Sequence, residues 1–436
     1  MTFKEWKMYW KNMDWTQKWF PVFILLRPIA DNFYFLKQIS PFISPLYILG
    51  VLTPVFIFFS FRSKKLQNKS TSVADGFMRI WGIAVLINCV MLVASQFDLE
   101  TLGSAIKYLT PPLLFFYARR FVRSKQDVVF LLQTFLYSCT FPFMLLAFET
   151  FVHPINAEMI SEGRGGGYRF HGTYSDSMNY AIYFIGAFLV SCYFFLDKVY
   201  ANRSLREKPP TVKMIAVFLL CLGGIISIRH VSSWAVFIAV LGWLMVFNSR
   251  KLKGVIVAVF FGLIILPFFA QSIYEKQIEP LLQKEISVVN GDAEIETSFN
   301  GRFSRWERYF EIWDKMPVYA HFFGVSFTNF EEVPIMVGGG MHSDYVRVLF
   351  LTGMFGLLIY LLFILLILSR RKNFKPPERF LILTSLTTLL LYSVSTLPLN
   401  YIGYMQLLLP IFAFALLPKQ KAYETIGQRS LNTGRI

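Results

Sequence analysis

Charged side chains are scarce in this sequence: they are 16% of 436 residues, against about 25% in an ordinary soluble domain. Hydrophobic residues make up 55% and the mean hydropathy is +0.49. Such a chain cannot hide its apolar surface in one water-solvated core, so a purely soluble protein is excluded. Cysteine is equally sparse. Cys89, Cys139, Cys192 and Cys221 lie in or beside apolar runs without CxxC spacing, which argues against a zinc site and a disulfide framework. The glycine-rich stretches GRGGGY and MVGGGMH lack the GK[ST] of a phosphate loop. No internal repeat of the kind that marks a two-halved transporter is visible. The opening MTFKEWKMYWKNMDWTQKWF has no apolar core with a small-residue cleavage site, so no cleavable signal peptide is expected there.

What the chain has is apolar runs punctuated by basic clusters. Runs near 20–38, 43–61, 76–97, 101–117, 128–151, 178–197, 213–228, 233–248, 254–272, 343–368, 380–397 and 401–417 predict about twelve transmembrane helices. The fold class expected is therefore an all-α polytopic membrane protein, one integral membrane domain over 1–436. Between the runs sit RSKK (62–65), ARRFVRSK (118–125), KVYANRSLREK (198–208), SRKLK (249–253) and SRRKNFK (369–375). With twelve crossings these clusters and both termini share one side, which the positive-inside rule makes the cytoplasm. Once placed this way, the net charge of +16 is a statement about topology, and no nucleic-acid partner is expected. Near the N-terminus, Trp6, Trp10, Trp15 and Trp19 interleave with Lys4, Lys7, Lys11 and Lys18. That pattern suits either an interfacial helix or a partly ordered tail before the first span.

Three segments then face outward: 152–177, the tight turn IRHVSS at 228–233, and a large extracytoplasmic loop at 273–342. The third is richer in Asp and Glu than in Lys and Arg, and its GRFSRWERYFEIWDKM predicts an amphipathic helix. All five histidines (His153, His171, His230, His321 and His342) fall on this side, and His is the side chain whose ordinary pKa suits proton transfer near neutrality. His342 stands apart because it ends the GGG segment and is expected to open a membrane helix, which would hold its ring at the water–lipid boundary. The alternative for it is a helix-start residue bonded to nearby backbone.

Arginines form the second set. Arg229 ends an apolar span on the outer side, Arg164 and Arg169 flank GGGY, and Arg302, Arg305 and Arg308 are three apart. Arg305 and Arg308, beside Glu307 and Glu311, also read as solvated surface charges. Converging guanidinium groups at the membrane boundary suit phosphate oxygens. Arginines with a nearby His and no acidic cage suit a lipid-linked phosphate and a proton moved beside it.

Four stretches resemble the O-antigen ligase and Wzy-type polysaccharide polymerase superfamily: RFHGTYSDSMNYAIYF, SIRH, NGRFSRWERYFEIWDKMPVYAHFFGVSF and MHSDYVRVLFLTGMFGLLIYL. The last two are the most telling. They carry a Gly-Arg with a Trp a few residues on, then Pro and Gly, a late His followed by a polar residue, and paired glycines at Gly353 and Gly356. One departure is SIRH, where many relatives have a second Ser before the Arg. The resemblance implies a GT-C-like fold with a large late outer loop. It also implies transfer of a glycan from undecaprenyl pyrophosphate to an acceptor, inverting and with no required metal or other cofactor. Carried over by motif, His342 is the general base. Arg229 and Arg302 bind the pyrophosphate, and Arg169 matches the arginine of the earlier loop; Arg305 and His171 complete the candidate substrate-binding set.

The first function this implies is polymerisation of lipid-linked repeat units at the outer face of the bacterial cytoplasmic membrane. The second is ligation of the finished glycan to a lipid A core or a protein. The expected partners are the lipid-linked donor, a glycan or lipid acceptor, membrane lipids and a chain-length regulator. From another class, a flippase or secondary transporter would carry midplane charges. Lys107 and Arg347 answer to that description, but the other candidates gather at the outer face. A shape-determining peptidoglycan polymerase would rely on an outer Asp and about ten spans, by resemblance.

Overall fold

The computed structural model describes residues 1–63, 66, 72–95, 97–153, 155, 157–159, 168–201, 211–248, 302–328 and 341–418, with single positions 279, 283, 286, 287 and 290. In chain order the helices are α1 (Phe3–Lys11), α2 (Trp15–Asn32), α3 (Leu36–Ile39), α4 (Pro45–Phe61), α5 (Val73–Ser95), α6 (Leu99–Phe121), α7 (Lys125–Ser138) and α8 (Thr140–Phe151). A two-stranded antiparallel ribbon follows, β1 (Ala157–Met159) against β2 (Tyr168–Phe170). Then come α9 (Ser177–Ala201), α10 (Thr211–Ile228), α11 (Val231–Phe247), α12 (Arg302–Asp314), α13 (Val318–Phe323), α14 (Asp344–Arg370), α15 (Pro376–Ser395) and α16 (Ile402–Ala415).

α5 shows why this sequence seeks lipid. Its buried residues Ala74, Met78, Trp81, Val85, Cys89 and Leu92 recur every three or four positions, the spacing of one helix face. The opposite face, including Ile80, Ile83, Leu86, Ile87 and Val90, is exposed yet also apolar. In a soluble protein that face would be polar, so the surroundings that satisfy it are hydrocarbon. Among the described residues four helical stretches are long and apolar enough to cross a membrane: Val73–Ser95, Lys125–Phe151, Ser177–Ala201 and Asp344–Asn373. Shorter apolar helices cover Pro45–Phe61, Ile215–Ile228, Val231–Phe247 and Ile402–Ala415.

Each predicted span coincides with described helix except 254–272, which lies outside the described residues. The boundaries differ in ways that have causes. The first helix starts earlier, at Trp15, because Asp14 caps it with Gln17 in a reciprocal capping box. The fourth extends back to Leu99, where the Asp98 carboxylate accepts from the Thr101 N–H at 2.7 Å. The fifth divides at Cys139 into α7 and α8. The Trp-rich start is helical and packs on α7, with Trp6 Nε1 donating to Thr134 Oγ1 at 2.9 Å.

Apolarity alone does not say which helices line the core. α9 packs against α7, α8, α10, α11, α15 and α16 and is 89% buried over its apolar window, against 33% for α5. α16 is buried along its whole length. Several of the charges in this interior are paired, Arg27 with Asp31 at 2.7 Å among them. Arg119 holds Asp75 through two hydrogen bonds of 2.7 and 2.9 Å and donates to the Ala413 carbonyl at 3.2 Å, joining α5, α6 and α16.

α14 is interrupted at Gly353, whose φ of 68° and ψ of −177° are non-helical. A Cβ there would overlap the backbone carbonyl of Phe322 at the end of α13, and Asn88 Nδ2 of α5 fastens the next carbonyl, Phe323, at 2.9 Å. α13 is thus seated against backbone of α14. Gly353→Ala is expected to cost about 1–3 kcal/mol from backbone strain alone, with steric overlap adding to it. Thermal unfolding in detergent checks this, and an unchanged midpoint would mean the break does not exist.

Candidate active site

Among the described residues only two non-glycine residues have positive φ: Arg229 at 50° and His342 at 46°. Arg229 directly follows α10 and its N–H bonds back to the carbonyls of Ile225 and Ile226 at 3.3 Å each. That is the left-handed position closing a helix, where glycine is the usual occupant. His342 precedes α14 by two residues, so the helix begins at Asp344 with Ser343 at its N-cap, two residues after the histidine expected to open it. Holding a side-chain-bearing residue in this region costs about 1–3 kcal/mol, persists only where the surroundings enforce it, and clusters at functional sites.

Those surroundings are the same for both residues: the C-terminal end of α15. A helix end leaves carbonyls without intrahelical partners. Here the His342 corner supplies donors to them. Ser343 Oγ donates to the Ser393 carbonyl at 3.0 Å, the Asp344 N–H to Thr396 at 3.1 Å, and Tyr345 Oη to Leu390 at 3.1 Å. Below, the buried Asp344 carboxylate accepts from the Leu399 N–H at 2.8 Å and pairs with Arg347. On the other flank His230 Nδ1 lies 2.7 Å from Ser233 Oγ, Tyr392 Oη donates to Ser233 Oγ at 2.9 Å, and the Ser232 and Ser395 hydroxyls bond to each other. The Arg229 turn and the His342 corner are therefore fastened to one seven-residue stretch, 390–396.

α12 reaches the same corner. Trp306 Nε1 donates to the Met341 carbonyl at 2.7 Å, while Tyr309, Phe310 and Trp313 pack around Phe350 of α14 with ring centroids 6.3, 5.7 and 4.7 Å away. Arg302 opens this helix one turn before Trp306. Arg305 and Arg308 are exposed, beside the equally exposed Glu307 and Glu311.

The remaining candidates sit elsewhere. Arg169 lies in β2, its backbone paired with Glu158. His171 follows that strand and is buried, in a loop pinned by the Gly172 N–H to Glu149 at 3.0 Å and the Thr173 N–H to Asn32 at 3.1 Å. Arg164 lies outside the described residues. His321 stacks on Trp313 with centroids 4.9 Å apart, its Nε2 being 2.7 Å from the Trp313 carbonyl, which makes it part of the α12–α13 packing. His153 is exposed.

Arg229 is half-buried, and that partial burial pulls its guanidinium down from its ordinary range; arginine nevertheless remains charged. A cation held with reduced hydration at the end of an apolar helix gains more from an anionic ligand than one in bulk water. Among the described residues no group of three or more His, Cys, Asp or Glu is arranged to hold a metal. What this arrangement brings to one helix end is a turn that carries a histidine and a turn that carries an arginine. Three contributors were not assigned from sequence: Trp306, Ser343 and Tyr392. Trp306 had a signal, being four residues after Arg302, whereas Tyr392 meets Ser233 from 159 positions away.

Residues 216–361 match a family model, Wzy_C, described as O-antigen ligase. The matched region contains Arg229, Arg302, Arg305 and His342, and leaves out Arg169 and His171. Comparison with curated proteins gives no match.

Proposed function

We propose that this chain, whose residues 216–361 match the O-antigen ligase family model, is a membrane glycosyltransferase that polymerises lipid-linked oligosaccharide repeats. The donor is a glycan on undecaprenyl pyrophosphate. The site lies at the outer face of the bacterial cytoplasmic membrane, with twelve crossings, a single membrane domain and both termini inside. The observation that carries the reading is the pair of enforced positive-φ residues, Arg229 and His342, tied to one helix end.

The reaction follows from those groups. His342, as general base, takes the proton of an acceptor hydroxyl. The freed oxygen attacks the anomeric carbon of the donor from the face opposite the pyrophosphate. The bond from that carbon to the pyrophosphate oxygen breaks, and its electron pair leaves with the pyrophosphate, giving inversion. Arg229 and Arg302 offset the charge that develops on the leaving oxygens, a stabilisation worth most where water is excluded. Arg169, Arg305 and His171 are assigned to the glycan-bearing part of the substrates. No step in this scheme requires a metal.

Ligation to a lipid A core or protein uses the same bond changes and differs only in the acceptor. Glycan analysis of a deletion strain separates the readings. Single repeat units on the final carrier are the expected result; full-length chains stranded on the lipid indicate a ligase, and repeat units trapped inside indicate a flippase. For the arginines, Arg229→Ala and Arg302→Ala are expected to lower turnover by about 10²-fold, the scale of removing one donor to a developing oxyanion. Lysine at either position is expected to recover part of that, because it keeps the charge and loses the fork. Full activity in all four variants would assign both arginines to structure.

A further inference from the structure

Beneath the His342 corner, within the first turn of α14, lies a small cavity between α5, α6, α14 and the 399–400 connection. Its wall includes Trp81, Lys107, Tyr108, Arg347 and Asn400, and its free space, about 10 Å³, fits one oxygen-sized group. Two donors on that wall are buried and without a hydrogen-bond partner. Arg347, 2% exposed, spends Nη2 on Asp344 and leaves Nη1 unmatched; Trp81, 4% exposed, leaves Nε1 unmatched. Unmatched buried donors cost free energy and call for an explanation.

The charge balance indicates what fits. The lining carries two cations, Lys107 and Arg347, and no carboxylate. Asp344 stands behind Arg347, already accepting from the Leu399 N–H. The Arg347 guanidinium also lies 5.0 Å over the Tyr108 ring, which fixes its plane. A water molecule would satisfy the donors but gain little from the cations. An anionic oxygen gains from both at once. Ionisable residues within apolar helices generally mark a functional site, and the chemistry proposed for the His342 corner uses neither Lys107 nor Arg347.

We propose that this cavity is an oxyanion subsite receiving one phosphoryl oxygen of the lipid diphosphate, held by Arg347 and Trp81 with Lys107 beside it. It rests on the glycosyltransferase reading, and it places the lipid-proximal phosphate below the imidazole that activates the acceptor. The same chemistry could come from a phospholipid headgroup, so the test has two arms.

The full-length protein in lipid nanodiscs is titrated with undecaprenyl diphosphate and, separately, with short-chain phosphatidylglycerol. Trp81→Phe removes the N–H while keeping an aromatic ring against Tyr360, whose centroid lies 5.3 Å from that of Trp81, and Lys107→Gln removes the cation. Each is expected to weaken undecaprenyl diphosphate binding about tenfold, the scale of one charge-assisted hydrogen bond, with phosphatidylglycerol binding and the unfolding midpoint unchanged. Equal affinity for the diphosphate in both variants would overturn the subsite while leaving the glycosyltransferase reading intact. Parallel weakening of both lipids would make it a headgroup site and also overturn the assignment. If the unaltered protein binds no undecaprenyl diphosphate, the parent reading fails and the subsite fails with it.

Discussion

Replacing His342 with alanine leaves the chain inserted in the membrane at its normal level and lowers glycan polymerisation by about 10²–10⁴-fold, the range expected for loss of a general base. Alanine changes two things at once, since it also strains a backbone held at a φ of 46°. His342→Gly separates them. Glycine takes that conformation without cost, so the glycine variant keeps the corner intact and lacks only the imidazole. Both variants are expected to be inactive, with the glycine form unfolding at the same temperature as the parent or above it. Activity retained in His342→Gly would show that the residue serves the backbone alone and that the base is another group. Polymer length and yield on a gel, with membrane level measured by immunoblot, give the readout.

Asp344→Ala is expected to cost about 3–5 kcal/mol, because it strands the Arg347 cation in a low-dielectric interior. It also removes the acceptor of the Leu399 N–H. The side chains of Asp344 and Arg347 are 0% and 2% exposed, so water cannot replace either partner. Removing both charges together, as Asp344→Ala with Arg347→Met, is expected to restore a large part of the loss, since two neutral side chains leave no buried charge unpaired. Thermal unfolding of the four proteins in detergent closes the cycle. A double variant no more stable than Asp344→Ala would mean that the ion pair is not what holds the corner. The Asp344→Ala variant is also expected to lose polymerisation, because the carboxylate links the His342 corner to the connection between α15 and α16.

Much of the candidate site was legible from residue chemistry and position. His342 drew notice because a histidine next to a glycine run and a long apolar helix is placed by a rigid element, and Arg229 because it is a cation where outer-side charges are few. The amphipathic stretch 302–314 is helical as its periodicity predicts. Other features were out of reach. Nothing local distinguishes His171, buried against the 172–173 loop, from the exposed His153. The β1–β2 ribbon pairs two three-residue segments, too short for an alternation pattern to register. The α14 interruption needs Gly353, but that glycine reads in sequence like Gly356, which sits in regular helix.

By itself the sequence determined the solvent: apolar runs long enough to need lipid, with basic clusters between them and histidines kept apart from those clusters. These are properties of composition and spacing along the chain, and no folded structure is required to express them. The tertiary structure decided which apolar helices form the core, with α9 enclosed and α5 half lipid-facing. It also brought Arg229 and His342 to one helix end more than fifty residues beyond either along the chain. Periodicity names the buried face of a helix but not the partner that covers it. The strain at both residues and the cavity beneath His342 exist only once residues far apart in sequence meet.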